Sequence, residues 1–200
     1  MVMKMKISKQ DMLNYFKDNP TAFKEIQQQV QDKQNSLEGK RPYYAITKNE
    51  LKQYLTQQAQ AHNLQFVAIS KNEFAFQNPT TKKQVKFCFA NGKDYTIDPK
   101  NQDSLTNFQA KSWHRLDPDF LTHHVSDYFV FFISRRLDHR IWAITFRYPE
   151  ILKMLQDKQN FYFGITKTNE IIEDRDNENH TYKREHLDLK LIFNDPRLQN

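Results

Sequence analysis

The chain has 200 residues, of which 38% are hydrophobic and 14% aromatic, and a domain of this size buries roughly 70% of the surface of its unfolded chain. Its net charge of +6 favours a polyanionic partner, nucleic acid rather than a membrane. The glycines (Gly39, Gly92 and Gly164) lie too far apart for a phosphate-binding loop, and GxSxG, HExxH and paired CxxC sequences are absent. These absences exclude nucleotide-driven chemistry, nucleophile-elbow hydrolases and the common zinc sites, so we expect no nucleotide cofactor.

The first forty residues predict an N-terminal helical segment, residues 1–40, that precedes an α/β core, residues 41–200. Apolar residues at helical spacing favour one helix over residues 9–18 and a second that begins after Thr21. A third helix is expected to begin after Thr47, because Thr47 and Glu50 have the spacing of a capping box, and to end near residue 62.

Beyond residue 62 the apolar period changes to two, which is typical of strands. Residues 128–133 are apolar on both faces, as in a central strand covered on each side. Strands are predicted at residues 66–69, 74–76, 85–89, 95–97, 107–113, 128–133, 141–146, 161–165 and 187–193, short helices at 121–124 and from Pro149, and a charged loop at 169–183. The fold class expected is α/β or α+β, with a mixed sheet flanked by helices.

Cellular location follows from two features of the sequence. Cys88, the one cysteine, falls in a predicted strand, which indicates a buried thiol and a reducing compartment. No apolar run is long enough to span a bilayer, so we expect a cytoplasmic protein without a membrane partner.

The segment around Gln109, Ala110 and Lys111 carries the strongest chemical pattern. In an extended strand Gln109 and Lys111 point to one side, and Asp98 lies within reach across a short hairpin. A carboxylate can hold a divalent cation, while a lysine beside a polar oxygen ligand stabilises charge on a phosphate. These groups are the ones that metal-dependent hydrolysis of a phosphodiester needs.

This arrangement resembles the D…(D/E/Q)xK signature of the PD-(D/E)xK nuclease superfamily, in the QxK variant of Mrr-type restriction enzymes. Residues 126–133 and the Trp-containing strand at 141–144 resemble the strands that follow the lysine in such enzymes. The resemblance implies a restriction-endonuclease-like fold, Mg²⁺ with Mn²⁺ as a substitute, and Asp98, Gln109 and Lys111 as catalytic residues. It also implies that Asp98 and the backbone carbonyl of Ala110 hold the metal.

Several assignments stay open at the level of sequence. Asp94 or Glu73 can add a carboxylate, and Asp94 can replace Asp98 as the anchor, because one sequence does not fix the register. Glu50 is explained by its capping box, and Trp113 and Trp142 are assigned to the core. The residues expected to contact DNA are Arg135, Arg136, His139 and Arg140 in one loop, together with Lys100, His114 and Arg115.

The expectation is therefore a magnesium-dependent DNA endonuclease of the type II restriction kind that cuts double-stranded DNA. Short palindromic targets favour a homodimer in which each subunit cuts one strand. The alternative is a DNA-binding or nuclease-interacting accessory protein without catalysis, since glutamine in place of an acid weakens cation binding. A third class is a structural protein-binding domain with an aromatic interface.

Overall fold

The computed structural model describes residues 44–97, 107–123, 125–157, 159–175 and 178–199, together with Tyr15, Lys17 and Asn19. The chain separates into two compact units, residues 1–42 and 43–200. The two helices predicted before residue 40 lie outside the described residues, apart from those three positions. The description that follows concerns the second unit.

Helix α1, Lys48–Ala61, begins where the sequence predicts it. The Thr47 side chain accepts a hydrogen bond from the backbone N–H of Glu50, and the Glu50 carboxylate accepts one from the backbone N–H of Thr47. This reciprocal capping box confirms the structural interpretation of Glu50. Leu51, Leu55 and Ala59, at helical spacing, form the buried face of α1.

A five-stranded mixed sheet, sheet A, forms the centre of the unit, with the order β1-β2-β3-β5-β6. Strands β3 and β5 are parallel neighbours, and the other neighbours are antiparallel. The strands are β1 Gln65–Ala68, β2 Glu73–Gln77, β3 Gln84–Lys93, β5 Tyr128–Arg135 and β6 Arg140–Arg147. The predicted meander, the central strand and the strand after it are confirmed.

A second sheet, sheet B, is antiparallel and has the order β4-β7-β8-β9. Its strands are β4 Phe108–Arg115, β7 Asn160–Thr166, β8 Ile171–Arg175 and β9 Glu178–Tyr182. The sequence predicts β4 as a partner of a strand at 95–97, but residues 95–97 form a bend and a turn, and β4 pairs with β7. Only the backbone N–H of Tyr95, which donates to Lys111 O at 2.8 Å, joins that segment to β4.

The remaining helices are short and follow strand ends. They are α2 Pro118–His123, α3 Tyr148–Asp157 and α4 Lys190–Phe193, with a 3-10 helix at Arg184–His186. The first two were expected near these positions.

Two core clusters lie on opposite faces of sheet A, and β5 contributes to both. Val130 and Phe132 pack with α1 and α4 in the first core cluster. Phe129 and Phe131 pack with α3 and the buried side of sheet B in the second core cluster. Because both faces of β5 are covered, the apolar run at 128–133 is the sequence signature of this central position.

Two predicted elements near the C-terminus are wrong. The apolar residues at 187–193 were predicted as a strand but belong to α4 and the turn before it, since Leu189, Ile192 and Phe193 have helical spacing. The charged segment at 169–183 was predicted as a loop but contains β8 and β9. Its strands bury a charged residue, Glu173, which accepts a hydrogen bond from the Tyr182 hydroxyl.

Within the described part of the chain, no helix is long and apolar enough to cross a membrane.

Candidate active site

Gln109 lies where the register of β4 with β7 shifts, between Phe108 and Ala110, and its side chain and that of Lys111 have separate partners. The Gln109 amide donates to Thr166 O at 2.9 Å and to Asn169 Oδ1 at 2.6 Å, at the turn between β7 and β8. The Lys111 ammonium lies 5.2 Å from the centre of the Phe108 ring. The side chain of Gln109 is thus used to join β4 to the next hairpin.

Asp94 is the carboxylate that accepts a hydrogen bond from the backbone N–H of Lys111, and both of its oxygens accept further hydrogen bonds. Its side chain is fully buried, and Oδ2 accepts from Arg135 Nε at 3.0 Å and Nη2 at 2.7 Å. Oδ1 accepts from the backbone N–H of Thr96 at 2.9 Å and of Lys111 at 3.1 Å. The Thr96 hydroxyl donates to both oxygens.

This environment does not fit a cation. A divalent metal at Asp94 would lie against the Arg135 guanidinium, which already neutralises the carboxylate charge. Asp94 therefore holds the end of β3, β4 and the loop after β5 together. It is a structural ion pair and does not suit the alternative anchor that the sequence left open.

The other predicted metal positions around β4 add little. Asp98 lies outside the described residues, as does Lys100, which was predicted to contact DNA. Ala110 is fully buried and pairs with Ile165 of β7. Among the described residues, no group of three or more His, Cys, Asp and Glu side chains could hold a metal ion.

The basic loop between β5 and β6 is largely paired with carboxylates. Arg135 has only 12% of its side chain exposed and binds Asp94. Arg136 lies 3.7 Å and His139 3.5 Å from the Glu50 carboxylate, and Arg140 lies 3.2 Å from Asp138. His139 and Arg140 are highly exposed and accessible to a phosphate, whereas Arg135 is not.

His114 is not a DNA-facing residue. It is 4% exposed, its Nε2 has no hydrogen-bond partner, and burial lowers its pKa to about 3. Position 114 points to the buried side of β4 with Ala110 and Ser112, a placement that the alternation of the strand could have shown. Arg115, the next residue, is exposed on the opposite side.

A second Gln-x-Lys triplet, Gln84-Val85-Lys86, opens β3. Ten residues separate Glu73 from Gln84, the same number that separates Asp98 from Gln109. In the ladder between β2 and β3, Lys86 lies opposite Ala75 and Glu73 lies opposite Cys88. The repeated triplet and the repeated spacing were readable in the sequence, but only the register shows that Glu73 and Lys86 lie on neighbouring strands.

Glu73 and Lys86 share one face of sheet A. Cys88, opposite Glu73, belongs to the second core cluster, and Lys86 lies two residues before it on the same strand face. Cross-strand diagonal neighbours of this kind are about 7–8 Å apart at Cα, within reach of long side chains. Glu73 is partly exposed and Lys86 is exposed, so the pair lies at the solvent edge of the core.

The surroundings of this pair come from the start of β5. The Ser126 hydroxyl donates to Glu73 Oε1 at 3.4 Å and contacts the Cys88 sulfur at 3.1 Å. Burial raises the pKa of the Cys88 thiol, and the Glu73 carboxylate raises it further, so Cys88 stays neutral. Asp127 accepts from the backbone N–H of Lys86 at 2.7 Å, which holds β3 against the start of β5.

Asp94 and Arg135 neutralise each other in an ion pair, and the Glu73 and Lys86 charges differ from them in this respect. Within the part of the chain that the structure describes, neither Glu73 nor Lys86 has an oppositely charged side chain at ion-pair distance. Asp127 is taken by Arg197, at 2.8 Å. One carboxylate and one ammonium thus remain available to a ligand on this edge.

Comparison with known proteins adds no relative. No protein-family model, curated protein or solved structure matches this chain.

Proposed function

We propose that the protein is a metal-dependent DNA endonuclease whose reacting groups are Glu73 and Lys86 on the hairpin of β2 and β3. The observation that carries the proposal is a carboxylate and an ammonium, both without ion-pair partners among the described residues, on neighbouring strands of the central mixed sheet. Among the described residues, the β4 positions that the sequence favours do not offer this pair, because Asp94, which accepts from the backbone N–H of Lys111, is bound to Arg135.

The donor set fits a hard cation such as Mg²⁺. Magnesium is commonly held by one or two carboxylates and completes its shell with water and substrate phosphates, so a cluster of three acidic residues is not required. Glu73 would hold the cation, and water and the DNA phosphates would complete its shell, because Gln84 lies opposite Gln77, four residues along β3 from the partner of Glu73. When bound, the cation lowers the pKa of a water and polarises the phosphate.

Lys86 has a separate task in this proposal. Its ammonium would bind the scissile phosphate and stabilise the negative charge that grows on it in the transition state. Exposure favours this role, because the side chain contributes no ion pair to the described fold and can follow the phosphate. The mixed sheet covered on both faces and the net charge of +6 agree with the restriction-endonuclease-like resemblance and with a DNA substrate.

Cleavage of plasmid and phage DNA, methylated and unmethylated, with Mg²⁺, with Mn²⁺ and with EDTA tests the proposal. We expect wild type to cut only with the metal. Lys86→Ala should lower the rate by about 10²–10³-fold, the usual effect of removing one charge-stabilising donor. Glu73→Gln should abolish metal-dependent cutting, and Lys83→Ala, an exposed lysine of the same hairpin, is the matched control.

Each alternative gives a different pattern in this assay. Loss of cutting in Lys111→Ala with full activity in Lys86→Ala would show that the active site lies at Gln109-Ala110-Lys111 of β4 instead. Binding of duplex DNA without cutting under either metal would overturn the endonuclease proposal in favour of an accessory DNA-binding protein. Sedimentation with a palindromic duplex tests the homodimer, which cutting both strands of such a site implies.

A further inference from the structure

The solvent side of sheet B carries exposed aromatic rings between cationic side chains. On β4 the residues Ala110, Ser112 and His114 point into the core, while Lys111, Trp113 and Arg115 point outward. On β7 Phe161, Phe163 and Ile165 are buried and Tyr162 points outward. We call the outward residues Lys111, Trp113, Arg115 and Tyr162 the stacking face.

Two rings of the stacking face are neighbours and open to solvent. Trp113 and Tyr162 are cross-strand partners, with ring centres 6.3 Å apart and a tilt of 37°. They are 39% and 46% exposed, far more than the fully buried rings of the same two strands. A contiguous exposed patch of this kind, with polar residues at its rim, is a feature of interaction sites.

Phe108 supports this face without being part of it. A Cβ atom on Gly164 would lie 2.5 Å from the Phe108 ring, so the ring packs directly on the glycine backbone. The Lys111 ammonium lies over the same ring. Phe108 is thus covered on one side by the Gly164 backbone and on the other by the Lys111 ammonium.

The charges on the stacking face are of one sign. Lys111 and Arg115 flank Trp113 at a distance of two residues, about 6.6 Å along the strand on either side. Among the side chains that the structure describes, no carboxylate lies within ion-pair distance of either cation.

We propose that the stacking face binds single-stranded nucleic acid, with unpaired bases stacked on Trp113 and Tyr162 and the backbone phosphates on Lys111 and Arg115. Aromatic platforms between cations are the usual means of binding unpaired strands, because every base offers a π-face to a ring and every backbone phosphate offers a negative charge to a cation. In a duplex the base faces are already stacked on one another, so the rings select unpaired strands.

The charge pattern argues against a second copy of this chain as the occupant. In a two-fold dimer the same patch meets itself. Two patches that each carry Lys111 and Arg115 would then be brought together, and like charges at close range oppose association. The polyanion is the partner whose charge complements the face.

This inference does not depend on the proposed endonuclease, because the stacking face lies on sheet B and Glu73 and Lys86 lie on sheet A. Binding can therefore be measured in EDTA, where no metal-dependent cutting occurs. Fluorescence anisotropy with labelled 15-mers of dT and rU and with a 15-bp duplex gives the affinities. Comparison of the dT and rU oligomers distinguishes a DNA from an RNA ligand, and both belong to the proposal.

We expect tighter binding of the single strands than of the duplex. Loss of one base stack weakens binding by roughly 5- to 150-fold, so Trp113→Ala and Tyr162→Ala should each have an effect of that size. Trp113→Phe should keep most of the affinity, and Tyr44→Ala, an exposed aromatic outside the face, is the matched control. Replacing Lys111 and Arg115 by alanine should reduce the salt slope by about 0.7 for each lost phosphate contact.

Three results would overturn the inference. Unchanged single-strand affinity in Trp113→Ala and in Tyr162→Ala would remove the rings from any nucleic-acid contact. Equal affinity for duplex and single strand that depends only on the cations would leave an electrostatic surface without stacking. Concentration-dependent dimerisation that Trp113→Ala abolishes would assign the face to a second copy.

Discussion

Replacement of Asp94 by alanine should destabilise the fold strongly, because Asp94 forms a buried ion pair with Arg135. The change leaves the Arg135 guanidinium in a site where only 12% of its side chain is exposed. It also leaves the backbone N–H groups of Thr96 and Lys111 without their acceptor. Removing one partner of such a pair is costly because the remaining charge stays desolvated.

The magnitude follows from the burial of the two partners. Breaking a fully buried pair costs about 3–5 kcal/mol, and the partial exposure of Arg135 favours the lower end. For a domain of 150–250 residues each kcal/mol lowers the melting temperature by about 2–4 °C. We therefore expect a fall of roughly 6–12 °C for Asp94→Ala.

Urea unfolding and thermal melting of three variants test this reasoning. Asp138→Ala removes a carboxylate that also binds Arg135 but is 36% exposed, and we expect a loss below about 1 kcal/mol. The double variant Asp94→Ala with Arg135→Leu should be less destabilised than the sum of its parts, because no charge is left unpaired. An unchanged urea midpoint in Asp94→Ala would refute the ion-pair assignment and make Asp94 a candidate metal ligand again.

Three further changes have outcomes that the structure specifies. Burial lowers the pKa of His114 from about 6.5 in the unfolded chain to about 3 in the fold. Between these values the unfolded state binds a proton that the folded state does not, so the free energy of unfolding falls as the pH drops from 6.5 towards 3. In urea unfolding between pH 7 and pH 4, the free energy of unfolding of His114→Leu should fall less steeply than that of wild type. Thr47→Ala removes the hydroxyl that caps α1 and should cost about 1 kcal/mol by the same method, whereas Thr56→Ala, inside the helix, should cost nothing, and equal effects would contradict the cap. Gly92→Ala places a Cβ 2.2 Å from the Ser112 hydroxyl, and thermal melting should show a loss of about 1–3 kcal/mol in the free energy of unfolding. An unchanged melting temperature would mean that β3 and β4 move apart easily at this position.

The strands of sheet A were predictable because their signal is local. Alternation along β2 and β3, and the apolar run of β5, depend on neighbours within a few residues. The position of β5 at the centre followed from the same run, since a strand that is apolar on both faces must be covered on both. The capping box of α1 needed only Thr47 and Glu50.

The partners of β4 were not predictable in this way. Alternation shows that Lys111 and Gln109 share a face, but it does not show which strand lies beside them, and β7 is about fifty residues away in the sequence. The same lack of long-range information hid the Asp94 ion pair, since a count of charges does not say which are paired. It also hid the proximity of Glu73 to Lys86, although the triplet that contains Lys86 was visible.

A site with Glu73 as its one carboxylate has a consequence for how metal and DNA would bind. Asp127, the carboxylate before β5, is bound by Arg197, so the described residues offer a cation the single negative group of Glu73. The phosphates of bound DNA would add the missing negative charge, and each ligand would then raise the affinity for the other. Because such coupling is reciprocal, a metal titration without DNA measures the site at its weakest.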